Sequence, residues 1–275
     1  MDNEKKQFLM KKANEIRKSA LTEVYSANSG HPGGSLSIAD ILAYLFFEKM
    51  NINKDNPKDP DRDRFVLSKG HTAPALYAVL AEKGYFPKED LKTFRRCESY
   101  LQGHPDMKGV PGVDMSTGSL GLGVSAACGM AKSAKISNKD YKVYAILGDG
   151  EIQEGQVWEA AMFACHYKLD NLCLFIDYNG LQIDGDIKQV MNPTPIDKKF
   201  LAFGFNVINI DGHDFDAIEN AVKHAEEVKD KPTAVICKTV KGKGVSFMEN
   251  KAEWHGTAPN KEQYEQAIAE LEQLA

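Results

Sequence analysis

Nowhere in the 275-residue sequence does an apolar run reach the roughly 18 residues that a membrane-spanning helix needs. The opening stretch, MDNEKKQFLMKK, also lacks the apolar core of a secretory leader. No Cys-x-x-Cys pair occurs. The five cysteines, at 97, 128, 165, 173 and 237, are odd in number and mostly in apolar surroundings. They argue against a disulfide framework and for buried free thiols in a reducing compartment. Basic excess is missing too. Lys and Arg total 34 against 39 Asp and Glu, a net charge of −5, so a nucleic-acid backbone is not the expected partner. Linkers, repeats and low-complexity segments are absent. These absences leave a cytoplasmic protein with no membrane and no nucleic-acid partner, folded as one domain over residues 1–275. At 43% hydrophobic and 27% charged, the chain can bury a good core.

What is present alternates. An amphipathic helix runs from about Glu4 to Asn28, with Leu9, Ala13, Ile16, Ala20 and Val24 at helical spacing. Ser29-Gly30-His31-Pro32-Gly33-Gly34 then stops it, and Ser35 or Ser37 is placed to cap the next helix. Asn51–Arg64 reads as a polar loop, Arg64–Ser68 as a strand, Ala73–Lys83 as a helix and Pro87–Arg96 as a small surface helix. Leu101–Gly123 holds six Gly and two Pro, which predicts a long structured loop of functional kind. A helix rich in small residues follows, from about Leu120 to Ile136. Beyond the central segment come helix 197–203, strand 206–210, helix 215–228, strand 233–238, a flexible Lys241-Gly-Lys-Gly turn and a charged C-terminal helix. This alternation predicts an α/β fold: a doubly wound, mostly parallel sheet.

The central segment, 141–185, is a βαβ unit. Val143, Ala145, Ile146 and Leu147 form a buried strand, stopped by Gly148-Asp149-Gly150. A helix follows over 154–167, and a second buried strand ends at Asp177. If the strands are neighbours, about 4.8 Å apart, Asp149 and Asn179 lie just past their carboxyl ends, where such sheets bind ligands. A carboxylate and an amide oxygen there suit one hard cation, Mg²⁺ or Ca²⁺. Glu154, near the start of the intervening helix, reads either as a carboxylate favoured in a first turn or as a buried group contacting cofactor or partner.

Three histidines share a setting beside glycine: His31, His71 and His104. His255, in Trp-His-Gly, is a fourth. Together they suggest imidazoles lining a polar pocket, able to bind oxygens and move protons near pH 7. His213 has a weaker case, and His166 and His224, in helical patterns, read as structural. Thr117-Gly118-Ser119-Leu120-Gly121-x-Gly123 brings backbone N–H groups to a helix start. It is neither a Rossmann fingerprint nor a P-loop.

These motifs together resemble the thiamine diphosphate enzymes and, within them, transketolase. SGHPGGSLS at 29–37, SKGHTAPALY at 68–77, Gly-His-Pro at 103–105, STGSLGLG at 116–123 and GDGEIQEGQVWEA at 148–160 are similar to transketolase signatures, in the expected order over nearly the whole chain. Two positions depart from the family: Tyr178, where Asn is usual, and Ser119, where Pro is usual. The resemblance implies the thiamine diphosphate-binding fold. Asp149, Asn179 and the Leu181 carbonyl would hold the metal (Mg²⁺, or Ca²⁺ or Mn²⁺). His71, Gly118, Ser119, Leu120, Gly150, Glu151, Asn179 and His255 would contact thiamine diphosphate. His31, His71, His104 and His255 would face substrate oxygens, and Glu154 would sit at a subunit interface.

The resemblance also implies an activity: transfer of a two-carbon ketol unit from a ketose phosphate to an aldose phosphate, as in the pentose phosphate pathway. In full-length relatives a second region supplies the Glu that engages the cofactor's aminopyrimidine, an aromatic pocket for that ring and the Arg residues for sugar phosphate. None of these is found after Lys238. The expectation is the N-terminal subunit of a split transketolase, with a complementary C-terminal subunit in an α2β2 heterotetramer. Rival readings are a thiamine enzyme for an unusual sugar, a deoxyxylulose-phosphate-synthase-like fragment and a non-catalytic regulatory subunit. The intact set of histidines favours catalysis over mere binding.

Overall fold

The computed structural model describes residues 1–274. Five strands form one parallel sheet: β1 (Arg64–Leu67), β2 (Val143–Gly148), β3 (Leu172–Tyr178), and two later strands, β6 (Asn206–Asp211) and β7 (Thr233–Lys238). Their order is β1-β2-β3-β7-β6. β2 and β3 are neighbours in parallel, with Gly148 opposite Asp177, as the βαβ reading requires. Between β3 and β6 lies a small antiparallel hairpin, β4 (Leu181–Gln182) and β5 (Gly185–Asp186). Among the described residues no helix is long and apolar enough to cross a membrane.

Strand side chains alternate between two cores, the period of two made visible. Phe65, Leu67, Tyr144, Ile146, Cys173, Phe175, Val235 and Cys237 face one way. They meet helices α1 (Asn3–Ala27), α3 (Ala39–Tyr44), α4 (Ala73–Lys83) and α9 (Phe215–Glu227). Val66, Val143, Ala145, Leu147, Leu174, Ile176 and Ile236 face the other way. There they meet α5 (Leu122–Ile136), α6 (Gly155–His166) and α8 (Ile196–Phe203). Helices on both faces make the sheet doubly wound. Fully burying one such Ile, Leu or Phe contributes about 1.5–3 kcal/mol. A third cluster joins Leu21 of α1 to Val245, Met248, Trp254 and helix α10 (Lys261–Gln273).

The structure corrects several expectations. Pro32-Gly33-Gly34 does not merely break a helix. It begins α2 (Pro32–Leu36), since proline's fixed φ and missing N–H suit a first turn. Neither Ser35 nor Ser37 N-caps α3, whose first flanking residue is Ile38; both are buried, and Ser37 Oγ donates to Asp177 Oδ2 at 2.7 Å. The helix after it closes with a π-helical turn over Leu45–Lys49. Residues Lys88–Thr93 form a 3₁₀ helix. The central helix starts at Gly155, after a 3₁₀ turn at Glu151–Gln153. Hairpin β4–β5 and the short helix α7 (Ile187–Val190) are not legible in the sequence, being too short to show a period. The Lys241 turn is packed: Gly242 sits at φ +77°, and a Cβ there would lie 2.5 Å from the Met248 carbonyl oxygen. Cys128, Cys173 and Cys237 are buried, Cys165 is half-buried and Cys97 is exposed, all as free thiols.

Candidate functional site

A cavity of about 370 Å³ opens past the carboxyl ends of β1, β2 and β3. A buried ionic knot closes its floor. Asp177, the penultimate residue of β3, has no exposed surface. Its Oδ2 accepts from Ser37 Oγ (2.7 Å), Lys69 Nζ (2.6 Å) and Asn179 Nδ2 (3.0 Å), and its Oδ1 accepts from Thr239 Oγ1. Burial alone raises this carboxyl, but Lys69 and the two hydroxyls prevail and hold it below the usual carboxylate range. Lys69 Nζ also donates to the Gly34 carbonyl at 2.9 Å. One carboxylate thus ties α2, the end of β1, β3 and the end of β7 to each other.

Above the knot lies Asp149, 2% exposed. Its Oδ2 accepts from Gly180 N–H at 2.6 Å and its Oδ1 from Gly150 N–H at 2.9 Å. Burial, and then the charge of Asp177, push it up to about 7. Asn179 Oδ1 accepts from Leu181 N–H at 3.1 Å, and the Leu181 carbonyl accepts from Lys241 Nζ at 3.1 Å. Lys241 is itself buried, lowered to about 8 by desolvation and then by Lys69, and its Nζ also meets His255 Nδ1 at 2.8 Å. Asp149, Asn179 and Leu181 therefore come together as the sequence leads one to expect. Lys69 and Lys241 do not stand out in the sequence. Their only signal is a lysine beside glycine at a strand end or turn.

The wall is imidazole. Ring centroids of His31, His71 and His255 stand 5.1–5.4 Å apart. Burial lowers all three: His31 to about 4, His255 to about 3, and His71 well below the ordinary value, with Arg95, Lys241 and Lys69 respectively adding to the effect. At pH 7 each is neutral, with one nitrogen to donate and one to accept. His31 Nδ1 is buried without a partner. His104 stands at the rim instead, exposed, its ring against Gly118, where a Cβ would lie 3.0 Å away. Burial, then Arg95, lower it as well.

The remaining candidates divide. Gly118, Leu120, Gly150 and Glu151 line the cavity. Glu151 has both oxygens engaged within the protein: Oε1 accepts from Ser68 Oγ and Gly121 N–H, and Oε2 from Gly148 N–H. Ser119 is exposed and is not among the lining residues. Glu154 lies at the rim as the N-terminal flanking residue of α6 and is exposed, so the expectation of burial does not hold within this chain. His213 does more than its weak sequence case suggests. Its Nε2 accepts from Val240 N–H at 2.9 Å, which leaves Nδ1–H to donate to Asp40 Oδ2 at 2.7 Å. That link steadies the turn carrying Lys241.

A parallel sheet with glycine turns, a buried carboxylate and buried lysines at its carboxyl edge places the chain in the doubly wound α/β class, which binds its ligands at that edge. The family described as "Transketolase, thiamine diphosphate binding domain" matches residues 9–272, and the chain belongs to it. The chain is 49% identical to the 6-deoxy-6-sulfo-D-fructose transketolase subunit SqwG of Clostridium sp. (strain MSTE9), covering 96% of each. To an apulose-4-phosphate transketolase subunit of Phocaeicola vulgatus it is 44% identical, covering 93% of this chain and 90% of that one. Transketolase from Campylobacter jejuni superposes with a TM-score of 0.91 at 37% identity, over 97% of this chain but 43% of that one.

Proposed function

We propose that this chain is the N-terminal subunit of a split transketolase: a single diphosphate-binding domain that works in the cytoplasm with a complementary subunit. The observation that carries the reading is Asp149, a buried carboxyl pushed up to about 7 beside two further oxygen donors, under three neutral imidazoles. The two subunit-named relatives, matched over nearly their whole lengths, support it.

The residues fit a divalent metal and a diphosphate. Asp149 lacks a counter-cation strong enough to keep it ionised, and Asn179 Oδ1 and the Leu181 carbonyl are hard neutral donors. Among the described residues no group of three or more His, Cys, Asp or Glu side chains is arranged to hold a metal ion by itself. A mixed set of carboxylate, amide and carbonyl, completed by phosphate oxygens, therefore suits Mg²⁺, Ca²⁺ or Mn²⁺ better than a zinc-type site. Lys241, His71, His255 and the Gly150 amide would bind the diphosphate, with Gly118 and Leu120 against the cofactor's middle. Bound thiamine diphosphate supplies the nucleophilic carbon and the electron sink for breaking and making a carbon–carbon bond.

The chain's own residues orient the sugar and handle protons. His31 and His71, neutral at pH 7, accept a proton from a sugar hydroxyl, and His255, whose Nδ1 accepts from Lys241 Nζ, donates its Nε2–H to another oxygen. His104 at the rim meets the incoming aldose phosphate. Glu154, exposed beside Gly121, is free to meet a partner subunit. The groups for the pyrimidine ring and the sugar phosphate are assigned to the complementary chain in an α2β2 assembly. Mixing this chain with its co-encoded partner, thiamine diphosphate and Mg²⁺ is expected to give ketol transfer between sugar phosphates, with neither chain active alone. No transfer with any co-encoded partner refutes the reading. The names of the two relatives favour a second reading of the substrate, a ketose outside the pentose phosphate pathway. A donor panel containing 6-deoxy-6-sulfo-D-fructose and apulose 4-phosphate beside pentose phosphates separates the two.

A further inference from the structure

The loops bearing His31 and His104 are far apart in sequence, yet one guanidinium touches both. Arg95 Nη1 donates to Ser29 Oγ at 2.8 Å, two residues before His31. Gly103, one residue before His104, lies so close that a Cβ there would stand 2.9 Å from Arg95 Nε and Nη2. Arg95 N–H donates to the Leu101 carbonyl at 2.8 Å, fixing the start of the same loop. To do this Arg95 adopts φ +60°, a left-handed conformation that costs a non-glycine residue about 1 kcal/mol or more. Its neighbour Phe94, 1% exposed, fills the space under Gly30, where a Cβ would meet the ring at 3.2 Å. Tyr77 completes the clamp, its hydroxyl donating to the Gln102 and His104 carbonyls at 2.9 Å each.

We propose that Arg95 is a positioning residue that clamps the His31 and His104 loops together and presents both imidazoles to the substrate. This rests on the reading of those histidines as substrate-facing. Neither ring touches the guanidinium's hydrogen bonds, so Arg95 acts through its loop contacts and its charge. Burial is the larger cause of the lowered affinity of both imidazoles for protons, and Arg95 is the leading charge acting on each. His31 also faces His71, His255, Lys241 and, across the Arg95 clamp, the charge of His104, while Arg95 is the charge that acts on His104. No hydrogen bond or ion pair joins Arg95 to Lys241 or to the proposed metal donors. Cofactor binding should therefore be insensitive to it.

The test follows histidine Cε1–H resonances of the full chain against pH, alongside steady-state kinetics of the reconstituted complex. In Arg95→Gln, the His31 and His104 resonances are expected to titrate at higher pH than in the wild type. kcat/KM should fall about tenfold or more, with thiamine diphosphate affinity held within about twofold. Unchanged titrations of both rings, or a loss of cofactor affinity matching the loss of turnover, overturns the inference. Should Arg95→Gln fail to fold, Arg95→Lys carries the test. It keeps the charge and loses the fork, so the titrations should stay low while kcat/KM still drops, and wild-type behaviour in both readouts overturns the clamp. His104→Ala with full turnover would remove the substrate-facing reading instead, while the resonances in Arg95→Gln still decide whether Arg95 governs the two rings.

Discussion

Asp177 and Glu23 are both carboxylates with no exposed surface, and the protein treats them in opposite ways. Asp177 lies at a strand end where four segments converge, and each sends it a donor. Glu23 lies on α1 near Tyr77, and neither of its oxygens has a hydrogen-bond partner. Burial therefore drives Glu23 well above the usual carboxylate range, while Asp177 is held below it. The difference shows that burial alone does not decide ionisation. The donors that the fold brings to the carboxylate do. Asp149 stands between the two extremes. It has two backbone donors but no cation in hydrogen-bond contact, and it lies at the edge of the cavity. Asp149 is thus left partly uncompensated, which the proposed metal site would require.

The largest break in this contrast comes from Asp177→Ala. It strands the Lys69 ammonium, 2% exposed, with only the Gly34 carbonyl for company. Removing one partner of such a buried pair costs about 3–5 kcal/mol. Urea denaturation should show that loss, and a cost below about 1 kcal/mol would mean the knot is no more than a surface-type pair. Asp149→Ala should act differently. Without metal the carboxyl is already poorly compensated, so stability of the metal-free chain should move by about 1 kcal/mol or less. Metal-dependent binding of thiamine diphosphate should weaken about a hundredfold, about 2.7 kcal/mol. Calorimetry showing unchanged binding would refute the metal assignment.

Much of this is legible in the sequence because it is periodic or local. Strands 143–148, 172–178 and 233–238 are apolar runs bounded by Gly, Asp or Lys. Helix α1 shows its stripe in Leu9, Ala13, Ile16, Ala20 and Val24. The Asp149–Asn179 pair follows from two adjacent strand ends, and Leu181 only from the resemblance to transketolase. The knot does not, because its donors come from residues 37, 69, 179 and 239 and meet only once the sheet forms. Ser37 accordingly reads as a helix cap, and Lys241 as part of a flexible turn. Glu154 reads as buried only if a second chain covers it, and within one chain its place at the rim leaves it in water. Glu23 carries no signal at all: a Glu on an amphipathic helix looks like its wet side, and only the packing of α4 and the 88–93 turn over α1 removes the water.

Glu23→Gln gives the smallest effect and the sharpest test, because its sign depends on pH. In the unfolded chain the carboxyl ionises near 4.3, and in the folded chain well above that. Between those values the folded state holds a proton that the unfolded state has released. Wild-type stability therefore falls as pH rises through the window, by up to about 1.4 kcal/mol per pH unit for this one group. Below the unfolded value both states are protonated, and the penalty vanishes. The glutamine variant carries an uncharged group of nearly the same shape, so its curve lacks this component. The two proteins should match within about 0.5 kcal/mol near pH 4. The variant should gain on the wild type steadily as pH rises from 4 to 7 and be the more stable of the two at pH 7. A difference that stays constant across pH, or one that favours the wild type at pH 7, would show that Glu23 has a partner in solution and that its contrast with Asp177 is false.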